Sequence, residues 1–74
     1  MTAQIYETEL YVVVQDLEPE VINGEPMNWL IINKQYGTTE ATVSSVPAAL
    51  MIADELDIRL RQHNKPAPEG ATVN

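Results

Sequence analysis

Along residues Gln4 to Gln15 the side chains alternate: Tyr6, Thr8, Leu10, Val12 and Val14 fall on the even side, while Glu7, Glu9 and Tyr11 share the odd side with Ile5 and Val13. A period of two in a stretch rich in β-branched and aromatic residues predicts a half-buried strand, even side inward, with Glu7, Glu9 and Tyr11 outward. At about twelve residues it is twice the usual strand length, so a bulge, a bend or an overhanging end is expected within it. The run "MNWLIINKQ", residues 27–35, is apolar on both sides around Trp29, Leu30, Ile31 and Ile32. It predicts a central strand, covered by a helix on one side and partly covered on the other, with Trp29 in the core. Residues 39–44, "TEATVS", predict a short strand with Ala41 and Val43 inward, and Tyr36-Gly37 marks the turn of a hairpin spanning residues 28–44.

After Ser45 the period changes. Val46, Ala49, Leu50, Ile52, Ala53, Leu56 and Leu60 gather on one face at about 100° per residue, the pattern of a helix laid on a sheet. Ser45 or Ser44 supplies an N-cap, Pro47 fits the first turn where its missing N–H costs nothing, and Asn64 with Pro66 ends the element. Glu55/Arg59 and Asp57/Arg61 stand four apart as favourable pairs, in the order the helix dipole prefers.

Between the first two strands lies "DLEPEVINGEP", residues 16–26, with four carboxylates and no base. Pro19 and Pro26 hold the residues before them extended and rule out a helix, and Asn23-Gly24 is a turn dipeptide because both residues tolerate positive φ. The expected architecture is therefore α+β: a three-stranded antiparallel sheet with one C-terminal helix packed on one face, in the order β-β-β-α. Residues 1–64 form a single small domain. Residues 65–74, "KPAPEGATVN", have little to bury and are expected to be a disordered tail.

Composition narrows the chemistry. With no cysteine, disulfides, thiolate metal sites and thiol nucleophiles are excluded, and a reducing compartment is the fitting one. The N-terminal stretch lacks the basic and apolar regions of a signal peptide, and no run approaches the ~18 apolar residues of a membrane span, so a mature, soluble, cytoplasmic protein is expected. At 74 residues the chain sits near the size where one core supplies only a few kcal/mol, which keeps oligomerisation or a partner in view.

Charge is distributed unevenly. Residues 1–33 hold Glu7, Glu9, Asp16, Glu18, Glu20 and Glu25 with no Lys or Arg, while the remaining residues hold five acids against four bases; the net charge is −7. A field of that sign repels phosphate backbones and anionic lipid, which argues against direct nucleic-acid binding and against membrane docking. The surface it does fit is a basic one on a protein.

The acids at 16, 18 and 20 begin like a calcium loop, but Val21 stands sixth where glycine is required and Met27 twelfth where a bidentate Glu is required, so no metal is expected. Alternate acids in extended chain project every ~6.6 Å, about half the linear charge density of one DNA strand. Convincing imitation of DNA would need two such rows side by side. The expected partner-binding residues are Glu7, Glu9, Tyr11, Asp16, Glu18, Glu20, Glu25 and Tyr36. On the helix, Met51 and Ile58 stand seven apart opposite the core stripe, bordered by Asp54 and Glu55; this is the alternative, a dimer or partner face.

Enzymatic residues are sparse. His63 is the sole histidine, with no nucleophile or orienting carboxylate in a motif around it, and no glycine-rich phosphate loop exists. The expectation is a non-enzymatic protein-binding module without cofactor that engages a basic surface of its target. In size and charge alone, with no shared motif, the chain resembles the inhibitors that phages and mobile elements direct against host nucleic-acid machinery, anti-CRISPR proteins and DNA mimics among them. The alternative expectation is a small structural or assembly subunit that homodimerises through its helix.

Overall fold

A computed structural model describes residues 2–65. The expected tail falls outside these residues except for Lys65. The elements run β1 (Thr2–Glu7), β2 (Tyr11–Asp16), β3 (Val21–Ile22), β4 (Glu25–Pro26), β5 (Trp29–Asn33), β6 (Thr38–Val43) and α1 (Val46–Asn64). Four strands form one antiparallel sheet in the order β1-β2-β5-β6, and β3 pairs with β4 in a separate two-stranded hairpin. The class is α+β with one C-terminal helix on an antiparallel sheet, as expected, but the sheet has four strands rather than three.

The extra strand comes from the stretch read as one long strand. Residues 8–10 reverse the chain, so that Gln4–Gln15 becomes the two arms of a hairpin, β1 and β2. The turn contains no Gly, Pro or Asn; it is held by tertiary bonds instead. Thr8 N–H donates to the Tyr11 carbonyl at 2.8 Å, Tyr11 N–H donates to Thr8 Oγ1 at 2.9 Å, and Leu10 N–H donates to Asp57 Oδ1 of α1 at 2.7 Å. The interruption that strand length suggested is thus a full reversal, with a bulge in addition: Gln4 pairs with Val14 and Tyr6 with Val13, leaving Ile5 as the extra residue.

This reversal changes which side chains meet the helix. On β2 the odd positions are inward: Val13 is fully buried and Tyr11 is 3% exposed, whereas Val12 and Val14 lie on the other face. Tyr11 is therefore a core residue and not an outward contact. It packs with Val13, Ile31, Ala49 and Ala53, and Tyr6, Leu10, Trp29, Ala41, Val43, Ile52, Leu56 and Leu60 pack around that cluster. Two alanines at the centre of the helix face bring α1 close to the sheet. Val46, expected in the core stripe, is largely exposed at the helix start.

The helix begins as its sequence dictates, with Ser45 as N-cap in extended conformation, its Oγ accepting from Ala48 N–H, and Pro47 in the first turn. The β5–β6 turn falls at Tyr36-Gly37 as expected, with Gly37 at φ 71°. Asn33, 1% exposed, organises it: Asn33 Oδ1 accepts from Gln35 N–H at 2.8 Å and Tyr36 N–H at 3.1 Å, while its amide donates to Glu40 at 2.8 Å.

Candidate functional site

The sheet has two chemically different ends. At one end lie the β1–β2 turn, the β5–β6 turn and the C-terminal part of α1; at the other lie the β3–β4 hairpin and the N-terminus of α1.

The first end gathers cations and their partners. Asp57, 4% exposed, accepts from Thr8 Oγ1 at 2.9 Å, from Leu10 N–H at 2.7 Å and from Arg61 Nε at 2.8 Å. Burial pushes its carboxyl up, but the Leu10 N–H, the Thr8 hydroxyl and Arg61 outweigh burial and hold it below the ordinary value. Glu7 pairs with Lys34 and accepts from Gln4, and both contacts lower its pKa. Glu9 lies 3.9 Å from Arg61. Burial, and next the nearby Glu40 charge, raise the pKa of Tyr11. This end is a structural knot that fastens the first hairpin to the helix, and sequence reasoning saw Asp57 only as an ordinary helix pair. Its signal was positional: Asp57 follows Ala53 by four and precedes Leu60 by three, inside the apolar stripe.

The second end is built on the acidic stretch, which is a hairpin and not an open connection. Asn23 (φ 53°) and Gly24 (φ 81°) make the tight turn that their residue types favour in hairpins. Val21 pairs with Pro26 and Ile22 with Glu25, and Met27 N–H donates to the Glu20 carbonyl at 2.8 Å. At the root, Asp16 Oδ1 accepts from Glu18 N–H at 2.9 Å. Glu25 accepts from Ser44 Oγ at 3.1 Å, which sets the hairpin beside the start of α1, where the helix dipole favours negative charge. Among the described residues, the ion pairs engage Lys34, Arg59 and Arg61, and none reaches Asp16, Glu18, Glu20 or Glu25. Between these acids stand exposed apolar side chains: Leu17 at 54%, Val21 at 62% and Ile22 at 43%.

The expected partner-binding residues are therefore divided. Asp16, Glu18, Glu20 and Glu25 stand together on the hairpin end. Glu7, Glu9 and Tyr36 lie at the opposite end, separated by the length of β2, about 17 Å for its six residues. The two acidic rows do not lie side by side. Tyr11 is buried, and Tyr36 is exposed at its turn tip.

On α1, Met51 at 69% and Ile58 at 48% exposure do point to solvent. Their neighbours are engaged within the chain: Asp54 accepts from the Tyr6 hydroxyl, which raises the Tyr6 pKa, and Glu55 pairs with Arg59 at 2.7 Å. A shallow depression beside them is lined by Ile58, Arg61, Gln62 and Lys65. His63 is exposed in the last helical turn. Among the described residues no three His, Asp or Glu side chains converge as metal ligands, and no helix is long and apolar enough to cross a membrane. Comparison with protein-family models, with curated proteins and with solved structures finds no match to this chain.

Proposed function

We propose that the protein is a non-enzymatic binding module whose β3–β4 hairpin docks on a surface that is both basic and apolar. The observation that carries this reading is the composition of the hairpin: four carboxylates without a cationic partner among the described residues, interleaved with exposed Leu17, Val21 and Ile22. The acids steer and orient a cationic partner, and the apolar side chains supply the area from which water is removed. Basic grooves of this kind belong to proteins that handle nucleic acid, so a role as inhibitor of such machinery is the specific form of the proposal. The hairpin alone is too sparse in charge to replace a DNA strand, and Glu7 and Glu9 are too distant to complete it; the proposed mode is obstruction of the groove.

The test is affinity capture from the source cell at low and raised salt, with the intact chain and with Glu18→Lys/Glu20→Lys. Capture at about 0.1 M salt that is lost toward 1 M, where the screening length falls from ~10 Å to ~3 Å, is the expected result. The double reversal is expected to weaken binding at least about tenfold, since it turns steering into repulsion. Undiminished binding by that variant, with the fold intact, sinks the proposal.

A further inference from the structure

The sheet has a second face, and it is apolar. Because neighbouring side chains in a strand alternate, the residues between the buried Tyr11, Val13, Ile31 and Asn33 point away from α1. The registers place them in two rows across the sheet: Glu7, Val12, Ile32 and Thr39 in one, and Gln4, Val14, Leu30 and Thr42 in the other. Val12, Ile32, Val14 and Leu30 thus form a block of four half-buried aliphatic side chains outside the core cluster, with a polar residue at each end of each row. An antiparallel sheet that faces water on one side alternates apolar with polar residues; β2 and β5 do not alternate here.

We infer that this open face is the contact surface of a homodimer, packed sheet against sheet on the same face of a second copy.

Charge selects that occupant. On a chain of net charge −7, this face carries one acid, Glu7, and Lys34 neutralises it. A basic partner finds nothing here to pair with, whereas an identical neutral face does. A two-fold axis lying between the sheets and across the strands sets Val12 over Val14 of the second copy, Ile32 over its Leu30, Thr39 over its Thr42 and Glu7 over its Gln4. No acid meets an acid. The same operation sends the two acidic hairpins to opposite ends of the dimer, with β2, about 17 Å long, between them, beyond the ~8–10 Å over which exposed charges act. Edge-to-edge pairing is the less suitable mode, because both edge ladders are broken: Ile5 is bulged in β1, and the register shifts between Ile31 and Ile32 opposite β6.

Area sets the strength. Four strands at ~4.8 Å and five residues at ~3.3 Å give a face of roughly 300 Å² per copy, below the ~800 Å² per partner of a standard interface. The dimer is accordingly weak and concentration-dependent.

Sedimentation equilibrium from about 10 μM to about 1 mM tests this, the range in which interfaces of that size dissociate. The expected mass rises from 8.2 kDa toward twice that value. Leu30→Thr/Ile32→Thr keeps strand-favouring side chains and every core residue, and is expected to weaken dimerisation at least about tenfold while the circular dichroism spectrum stays native. Mixing chains that carry Ile32→Cys with chains that carry Leu30→Cys is expected to give disulfide heterodimers faster than either chain alone, against a background with no native cysteine. A mass of 8.2 kDa at every concentration overturns the inference, as does a threonine variant that dimerises unchanged. Dissociation by Met51→Asp/Ile58→Asp with the threonine variant still dimeric overturns it in favour of the helix face.

Discussion

Asp57 does at the level of one residue what a turn dipeptide would do in a simpler hairpin. Its carboxylate satisfies Leu10 N–H and Thr8 Oγ1 inside the β1–β2 turn and is in turn paired with Arg61, so removal of its charge strands buried donors. Asp57→Asn is expected to lower stability by about 2–3 kcal/mol near pH 7 in denaturant unfolding. The pH dependence has a definite sign. Because the folded protein holds Asp57 below its ordinary value near 4, its contribution is complete above that value and is lost as the pH falls through the lower folded one. Stability of the native chain and of Asp57→Asn should therefore converge as the pH is lowered below about 4; parallel acid limbs would refute the assignment. Adjacent isoleucines supply a second contrast. Ile31 is fully buried against α1, and Ile32 lies on the open face. Ile31→Ala is expected to cost about 3 kcal/mol or more and to leave a chain of this size largely unfolded, whereas Ile32→Ala costs about 1 kcal/mol, both read from urea midpoints.

Among the elements, the acidic hairpin is the one whose conformation is set locally. Gly24 sits at φ 81° with open space around its α-carbon, so an added methyl group meets no atom and its cost is purely backbone strain. Gly24→Ala is expected to cost about 1–2 kcal/mol within the hairpin. Hydrogen exchange should show it as roughly tenfold or greater loss of protection at Met27 N–H, which closes the hairpin, with Val13 and Ile31 amides unchanged. If the hairpin is the docking element, the same substitution weakens capture without altering charge, because an ordered arm binds at lower entropic cost. The helix illustrates the opposite balance: Ser45 and Pro47 mark its start in sequence, yet its place is decided by Ala49 and Ala53 fitting against the sheet.

For the whole molecule, charge is polarised. Unpaired acids collect at the hairpin end beside the helix N-terminus, while Lys34, Arg59 and Arg61 lie with their carboxylate partners toward the other end or on the helix surface. Like charges on the hairpin repel one another, so Glu18→Lys/Glu20→Lys, which moves the net charge from −7 by four units to −3, is expected to leave the thermal midpoint unchanged or raised at low salt. That difference should vanish near 1 M salt. A marked fall in the midpoint would show that these acids are structural.

Legibility in the sequence followed how local each determinant is. The helix with its cap, the Tyr36-Gly37 and Asn23-Gly24 turns, and the α+β class could be read directly, because each rests on contacts within a few residues and on backbone preferences that residue type alone imposes. The grouping of Asp16, Glu18, Glu20 and Glu25 on one arm followed from the same local chemistry. The β1–β2 reversal could not be read, since Thr8-Glu9-Leu10 has no turn preference of its own and is held by a carboxylate some 47 positions away. Once that turn is made, strand parity inverts, Tyr11 passes from surface to core, Glu7 and Glu9 part from the acidic hairpin, and Val12 and Val14 are left facing away from the helix. Alternation along a strand says that two faces differ; only the packing of α1 decides which of them is inside.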